Sequence, residues 1–239
     1  MALAIVPRER NLLDADPTCL TREDVLAHYR HLREISKQHH HEILKRISGD
    51  ALIQQGRRLG LAHRKTFVLD DPDEMFYVYD LAIYTAPPDR SRAIDRYARS
   101  ARFDVGSDEA LMLEAMRAAR FSVLRIEQRR QTAGLIATDL FRDSQIWLVD
   151  MGLERSVSDG EIIATRWFTP GPFSMTAGVF VTFQPEMLGA ICDLLPQRVS
   201  ESKIATVTDD RRFAESLYKI ALADGVMDRV RYQDLPANT

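Results

Sequence analysis

The chain has 239 residues, of which 45% are hydrophobic and 28% are charged, and its formal net charge is −3 at pH 7. This composition is ordinary for a soluble globular protein, and the slightly acidic balance excludes a general attraction to nucleic acid or acidic lipid. The 2 cysteines exclude a disulfide framework and a cysteine-based zinc motif. No apolar run reaches the roughly 20 residues that span a bilayer, so we expect a cytoplasmic protein without a membrane segment.

The first predicted element is a long helix that follows a loose lead-in segment at residues 1–20. Thr21 is the expected N-cap, because an acidic residue, Asp24, follows it three positions later in the first turn. Helical spacing then continues as far as Gly49, which predicts about seven turns. The apolar residues that keep this spacing are Val25, Tyr29, Leu32, Ile35, Ile43 and Ile47.

Three or four shorter helices are expected before residue 120. The clearest start signal lies in DDPDEMFYVYDLAIYTAPP, where Asp71 is the cap and Pro72 occupies the first helical position. The segment GSDEALMLEAMRAARF begins at Ser107 and is apolar on most sides, so we expect it to be the most buried helix of this group. The remaining segments are DALIQQGRRLGL and DRSRAIDRYARSARF.

Near Phe121 the apolar period changes from that of a helix to that of a strand. Short turns separate five β-rich runs, which predicts an antiparallel meander in a small β-barrel-like or curved-sheet module. Gly178 lies within the last run and is expected to mark a bulge or a close backbone approach. The runs are FSVLRIEQ, GLIATDLF, QIWLVDM, EIIATRWF and FSMTAGVFVTF.

Helical spacing returns in PEMLGAICDLL and in TDDRRFAESLYKIALADG, which predicts C-terminal helices. The predicted fold class is therefore α+β. Its expected segments are the lead-in at 1–20, a helical region at 21–120, an antiparallel β-module at 121–183, and C-terminal helices with a tail at 184–239.

Five of the 6 histidines lie in HYRHLREISKQHHHEIL, a pattern that raises the question of a metal or acid–base site. Helix geometry sends His39, His40 and His41 in three directions, whereas His28 and His31 have the spacing of a helical metal pair. The candidate polar site is therefore His28, His31 and His39, completed by carboxylates from elsewhere. We favour the alternative that His39 is a hydrogen-bonded core residue, and we predict no bound metal or cofactor.

A second candidate surface consists of Arg92, Arg96 and Arg99, which share one face of a predicted helix and can follow a row of phosphates. Aspartates are interleaved with these arginines, so a solvated helix face is favoured over nucleic-acid binding. The sequence contains no nucleophile elbow, no phosphate-binding glycine-rich loop and no dinucleotide fingerprint. No catalytic residue is assigned on this basis.

The leading functional hypothesis is a non-catalytic cytoplasmic protein that acts by binding a protein partner or by self-association. Its basis is the apolar face of the long first helix, which can pair with another helix. One alternative is a metal-dependent hydrolase that uses the histidines of this helix. The other is a nucleic-acid-binding regulator that uses the arginine-rich helix.

Four segments carry a resemblance to a known family: HHEILKRISGDALIQQGRRLGL, DDPDEMFYVYDLAIY, SRAIDRYAR and GSDEALMLEAMRAARFSVLRIE. Together with GLIATDLFRDSQIWLVDMGLERS they resemble uncharacterised bacterial proteins, and the resemblance covers most of residues 25–183. The family has no assigned activity, so the resemblance implies no functional residue. The β-module is also similar to one in larger bacterial proteins with a Cys-rich SEC-C zinc motif, but this chain has no cysteine beyond Cys192.

Overall fold

The computed structural model describes residues 20–87, 89–182 and 211–223, and within them it confirms the α+β class. The α-helices in chain order are α1 (Arg22–Leu44), α2 (Gly49–Leu59), α3 (Met75–Tyr84), α4 (Ala93–Ser100), α5 (Asp108–Arg117), α6 (Met151–Ser156) and α7 (Arg211–Ala223). The strands are β1 (Ala62–His63), β2 (Thr66–Phe67), β3 (Arg120–Arg129), β4 (Leu135–Asp139), β5 (Ser144–Leu148), β6 (Ile162–Phe168) and β7 (Met175–Thr182). The lead-in up to residue 19 and the helix predicted in PEMLGAICDLL lie outside the described residues.

The first helix begins where its sequence predicts and ends earlier. Thr21 and Asp24 form a reciprocal capping box, in which each side chain accepts a hydrogen bond from the backbone N–H of the other residue. α1 ends at Leu44, so the prediction that it continues to Gly49 is wrong. The reason is Ser48, whose side chain caps a new helix and makes Gly49 the first residue of α2.

The apolar face of α1 is buried inside the chain. Val25, Tyr29, Leu32 and Ile43 are at most 4% exposed and share one core with residues of α3, α4 and α5. This burial removes the face from contact with any other molecule. A protein interaction by this chain would therefore use a different surface.

Among the shorter helices that follow α1 and precede the main sheet, α3 has the most buried residues. It buries six residues, whereas α5 buries three, so the prediction that α5 is the most buried helix is wrong. α3 packs against α1, α2, α4, α7 and β7, while α5 packs against α1 and α4. The number of packing neighbours decides the burial, and the sequence of one helix does not contain that information.

The main sheet is antiparallel with the strand order β5-β4-β3-β6-β7. The predicted sequential meander is wrong in one respect, because β6 pairs with β3 and not with β5. Between β5 and β6 the chain forms α6, which Asp150 caps by accepting from the backbone N–H groups of Gly152 and Leu153. In the described part of the chain the sheet is open, with β5 and β7 at its edges, and does not close into a barrel.

The bulge predicted at Gly178 is confirmed. Thr165 pairs with Phe180 and Trp167 pairs with Thr176, so between these pairs β7 advances by four residues while β6 advances by two. Gly178 lies in this insertion with a φ of 101°, a conformation that favours glycine. The bulge stands opposite the single β6 residue between the two pairs, Arg166.

Three clusters of buried residues hold the helices and the sheet together. One joins α2, α3 and α7 to the sheet, and it contains Tyr77 stacked on Tyr218 with ring centroids 4.5 Å apart. A second joins α1, α4 and α5 to residues around the ends of β5, β6 and β7. The third covers the opposite face of the sheet and includes Leu153 of α6. No helix in the described ranges is long and apolar enough to cross a membrane.

Candidate functional site

His39 is a buried link between three helices. Its ring Nδ1 lies 3.2 Å from the hydroxyl of Tyr97 on α4, and its Nε2 lies 2.9 Å from the carbonyl oxygen of Glu109 on α5. Burial lowers the pKa of His39, although the Glu109 carbonyl opposes the shift. Both ring nitrogens thus have partners within the protein, as a hydrogen-bonded core histidine requires.

The other two histidines of the predicted polar site do not converge on His39. His31 is exposed and its Nε2 lies 2.7 Å from a carboxylate oxygen of Asp108. His28 is half-buried, contacts the ring of Phe173 edge-on, and has a pKa lowered by burial. In residues 20–87, 89–182 and 211–223, no group of three or more His, Cys, Asp or Glu is placed to hold a metal ion. The hydrolase alternative receives no support from this geometry.

The predicted arginine face is partly used for contacts within the chain. Arg92 is the N-cap residue of α4 and binds both carboxylate oxygens of Asp95, at 2.7 and 3.0 Å. Arg96 donates to the backbone carbonyl of Ser91, and Arg99 donates to the Ser91 hydroxyl at 3.0 Å. Arg96 and Arg99 are exposed, whereas Arg92 is half-buried. Nucleic-acid binding stays a prediction that now depends on two side chains.

A cavity of about 410 Å³ lies between α1, α3, the start of α6 and the bulge of β7. Two helical rows face each other across it, with Arg33, Lys37, His40 and Leu44 among those on α1. The row on α3 includes Phe76, Tyr79, Asp80, Ile83 and Tyr84. The bulge of β7 forms another part of the wall, at Gly178. A Cβ atom built on Gly178 would have no other atom within 4 Å, so there is open space beside the bulge.

One polar group of the cavity wall is the ion pair between Asp80 on α3 and Arg166 on β6. Arg166 donates to both carboxylate oxygens at 2.7 and 3.0 Å, and the hydroxyl of Tyr218 donates to the same carboxylate at 3.0 Å. Burial acts to lower the pKa of Arg166, but the charge and hydrogen bonds of Asp80 raise it. Burial also raises the pKa of Tyr218, which stays protonated as a donor. The negative charge of Asp80 is thus neutralised by Arg166, which approaches it from the sheet.

A second ion pair closes the opposite side. Arg33 on α1 donates to Asp150 at 2.6 Å and to the carbonyl oxygen of Thr176 on β7 at 2.8 Å. Thr176 also donates through its hydroxyl to Asp150, whose other oxygen caps α6. This network fixes α1, α6 and β7 relative to one another, so the cavity walls are held in place by charge-assisted hydrogen bonds.

Between the two ion pairs lies a neutral pair, His40 on α1 and Tyr84 on α3, with Nε2 and the phenolic oxygen 2.7 Å apart. Burial, with the nearby charge of Arg33, lowers the pKa of His40 to about 4. Burial also raises the pKa of Tyr84. Both side chains are therefore uncharged at neutral pH. Nδ1 of His40 has no hydrogen-bond partner among the described residues.

The sequence contains only part of the signal for this cavity. The row on α1 has helical spacing and lies beside the apolar face, so it could have been noticed as a second stripe. Nothing in the chain order indicates that α3 and a bulge in β7 face that stripe. Helix geometry prevents the histidine triplet from chelating one ion, but it does not prevent His40 from forming a hydrogen bond across the cavity.

A family model described as a family of unknown function (DUF7986) matches residues 23–231. No curated protein and no solved structure matches the chain. The match confirms the predicted relation to an uncharacterised family, while the similarity to SEC-C-associated proteins and the bacterial origin stay predictions. The matched range contains every residue named above on the cavity wall.

Proposed function

This chain belongs to the DUF7986 family of unknown function, and we propose that it is a small-molecule-binding protein whose ligand occupies the cavity between α1, α3, α6 and β7. The observation that carries the proposal is the cavity itself. Its volume of about 410 Å³ falls in the range of ligand sites, and apolar walls with a few polar groups are typical of such sites. Transfer of an apolar ligand from water into it is favourable by roughly 25 cal/mol per Å² buried.

The arrangement of charges supports binding without a chemical step. Arg33 and Asp150 bind each other, and Asp80 is bound by Arg166, so the charged groups on the wall already have partners. With a pKa of about 4, His40 is too weak a base to accept a proton efficiently at neutral pH. The proposal is therefore a binding protein, in agreement with the non-catalytic function predicted from the sequence.

The proposal is tested by titrating the full chain with N-phenyl-1-naphthylamine, an uncharged dye that fluoresces in apolar surroundings. We expect saturable binding at one site. Ala177 lies on the cavity wall, and its replacement by Leu fills part of the space, so Ala177→Leu should weaken dye binding at least tenfold. Ala177→Ser, which hardly changes the volume, is the matched control.

Two results would overturn this function. The first is the absence of saturable dye binding to the unaltered chain. The second is an Ala177→Leu variant that is folded by circular dichroism and binds the dye as tightly as the unaltered chain.

The protein interaction predicted from the sequence is compatible with ligand binding and is kept as a separate proposal, restricted to self-association. Light scattering on a gel-filtration peak gives the mass in solution. Twice the chain mass of 27.3 kDa supports self-association, and a mass of one chain excludes it.

A further inference from the structure

The charges on the cavity wall cancel in pairs. Arg33 is bound to Asp150, and Asp80 is bound to Arg166 from the sheet side. Among Lys, Arg, Asp and Glu, the remaining side chain on the wall is Lys37, which is exposed and lies 3.1 Å from Glu34 outside the cavity. A charged group carried deep into this space would lose its hydration and would find each counter-charge already paired.

His40 offers a different kind of contact. Its Nε2 is engaged with Tyr84, and its Nδ1 has no partner in the part of the chain that the structure describes. The phenolic hydroxyl can donate to Nε2 or accept from it, so Nδ1 can carry the proton or leave it on Nε2. A neutral imidazole held in this way can either donate to a carbonyl oxygen or accept from a hydroxyl.

On these grounds, and resting on the proposed function, we infer that the cavity selects an uncharged ligand with an apolar body and one hydroxyl or carbonyl group that hydrogen-bonds to His40. The facing aromatic side chains Phe76 and Tyr79 favour a flat ring system as the apolar body. His40 is then the residue that determines specificity. The two ion pairs disfavour charged ligands, because they leave no unpaired counter-charge for such a ligand.

A matched set of naphthalene derivatives separates the contributions of shape and charge. The set is 2-naphthalenemethanol, 2-naphthoate, 2-naphthylmethylammonium and 2-methylnaphthalene, and each competes with the dye for the full chain at neutral pH. We expect the alcohol to bind at least tenfold more tightly than either ion, because neither ion has a free counter-charge. The hydrocarbon cannot form the hydrogen bond to His40, so its affinity should be about fivefold to tenfold lower than that of the alcohol.

Substitution assigns the hydrogen bond to its residue. His40→Phe should remove the advantage of the alcohol over 2-methylnaphthalene, so that the two compounds bind the variant with equal affinity. His31→Phe is the matched control, because His31 is on the same helix but outside the cavity. It should leave all four affinities unchanged.

The possible results distinguish this inference from the proposed function. If 2-naphthoate or the ammonium compound binds as tightly as the alcohol, the selectivity is refuted while ligand binding stands. If the alcohol keeps its advantage in His40→Phe, the assignment to His40 is refuted. If the dye binds but no compound displaces it, the inferred ligand class is refuted while ligand binding stands. If the dye itself does not bind, both proposals fail.

Discussion

Asp80 and Arg166 form an almost fully buried ion pair. The two residues are 4% and 6% exposed, and the hydroxyl of Tyr218 completes the hydrogen bonding of the carboxylate. Such a pair contributes little beyond what two well-packed apolar residues would contribute, but the loss of one partner leaves a buried charge uncompensated. The pair therefore matters most when it is broken.

Asp80→Asn should lower the free energy of unfolding by about 3–5 kcal/mol, because Arg166 loses its counter-charge. Urea denaturation followed by circular dichroism measures the loss. The double variant Asp80→Asn with Arg166→Met should be more stable than Asp80→Asn alone, because it removes the stranded charge. Lys45→Ala, which breaks an exposed pair with Glu42, serves as the control and should have a much smaller effect. A loss below about 1 kcal/mol for Asp80→Asn would contradict the account.

His40 should make the stability depend on pH. Its pKa is about 4 in the folded chain and near the ordinary 6.5 in the unfolded chain. As the pH falls below 6.5, the unfolded chain binds a proton at this histidine, whereas the folded chain does not bind it until about pH 4. The stability that is present above pH 6.5 is therefore lost between these two pH values. His40→Gln should flatten this part of the profile of unfolding free energy against pH. His41→Gln, an exposed neighbour, should not, and equal slopes for His40→Gln and the unaltered chain would refute the prediction.

The histidines of α1 show which properties of a single residue can be predicted from the sequence. Helical spacing placed His39 on the buried face of α1, and the structure has it there at 3% exposure. Its partners Tyr97 and Glu109 are 58 and 70 residues away, and the partner of His40, Tyr84, is 44 residues away. Spacing within one helix determines direction, whereas partners depend on how other helices pack.

At the level of elements, local signals predicted starts and bulges better than pairings. Thr21 caps α1, Asp71 caps a 3-10 helix (Pro72–Glu74) that leads into α3, and the bulge lies at Gly178, all where the sequence indicates them. The sequence does not predict α6, because its 6 residues are too few for a recognisable apolar period. The sequence does not predict the pairing of β6 with β3, because these strands are separated by two others in the chain.

The bulge in β7 gives a direct test of a backbone conformation. A φ of 101° at Gly178 is strained for any residue with a side chain, so Gly178→Ala should lower the free energy of unfolding by about 1–3 kcal/mol. Gly49→Ala is the matched control, since Gly49 has no positive φ and open space around it. Gly49→Ala should be neutral or slightly stabilising. Equal unfolding free energies for the two variants in urea would show that the bulge imposes no glycine requirement.

At the scale of the whole molecule, the cavity exists because helices and sheet share their cores. Two of the three buried clusters contain residues from both the predicted helical region at 21–120 and the predicted β-module at 121–183. α7 adds to one of them, with Phe213 and Tyr218 fully buried against the sheet and α3. The cavity is bounded by both parts, which explains why neither segment of sequence predicts it alone.

Shared cores predict one cooperative unfolding transition. Trp147 and Trp167 both lie on the sheet, so their fluorescence reports on the β-part, while far-ultraviolet circular dichroism reports mainly on the helices. The two signals should change at the same urea concentration. Transitions at separate urea concentrations would mean that the helical region and the β-module unfold as independent units.

The cavity between α1, α3, α6 and β7 is the proposed binding site of a small uncharged molecule. The most direct test of this proposal is a titration of the isotope-labelled full chain with 2-naphthalenemethanol, followed through the backbone amide signals in NMR spectra. Binding at this site should give saturating shifts that are largest for Ser36, His40, Asp80 and Gly178, which line the cavity. Shifts confined to residues away from the cavity, or none that saturate, would contradict it.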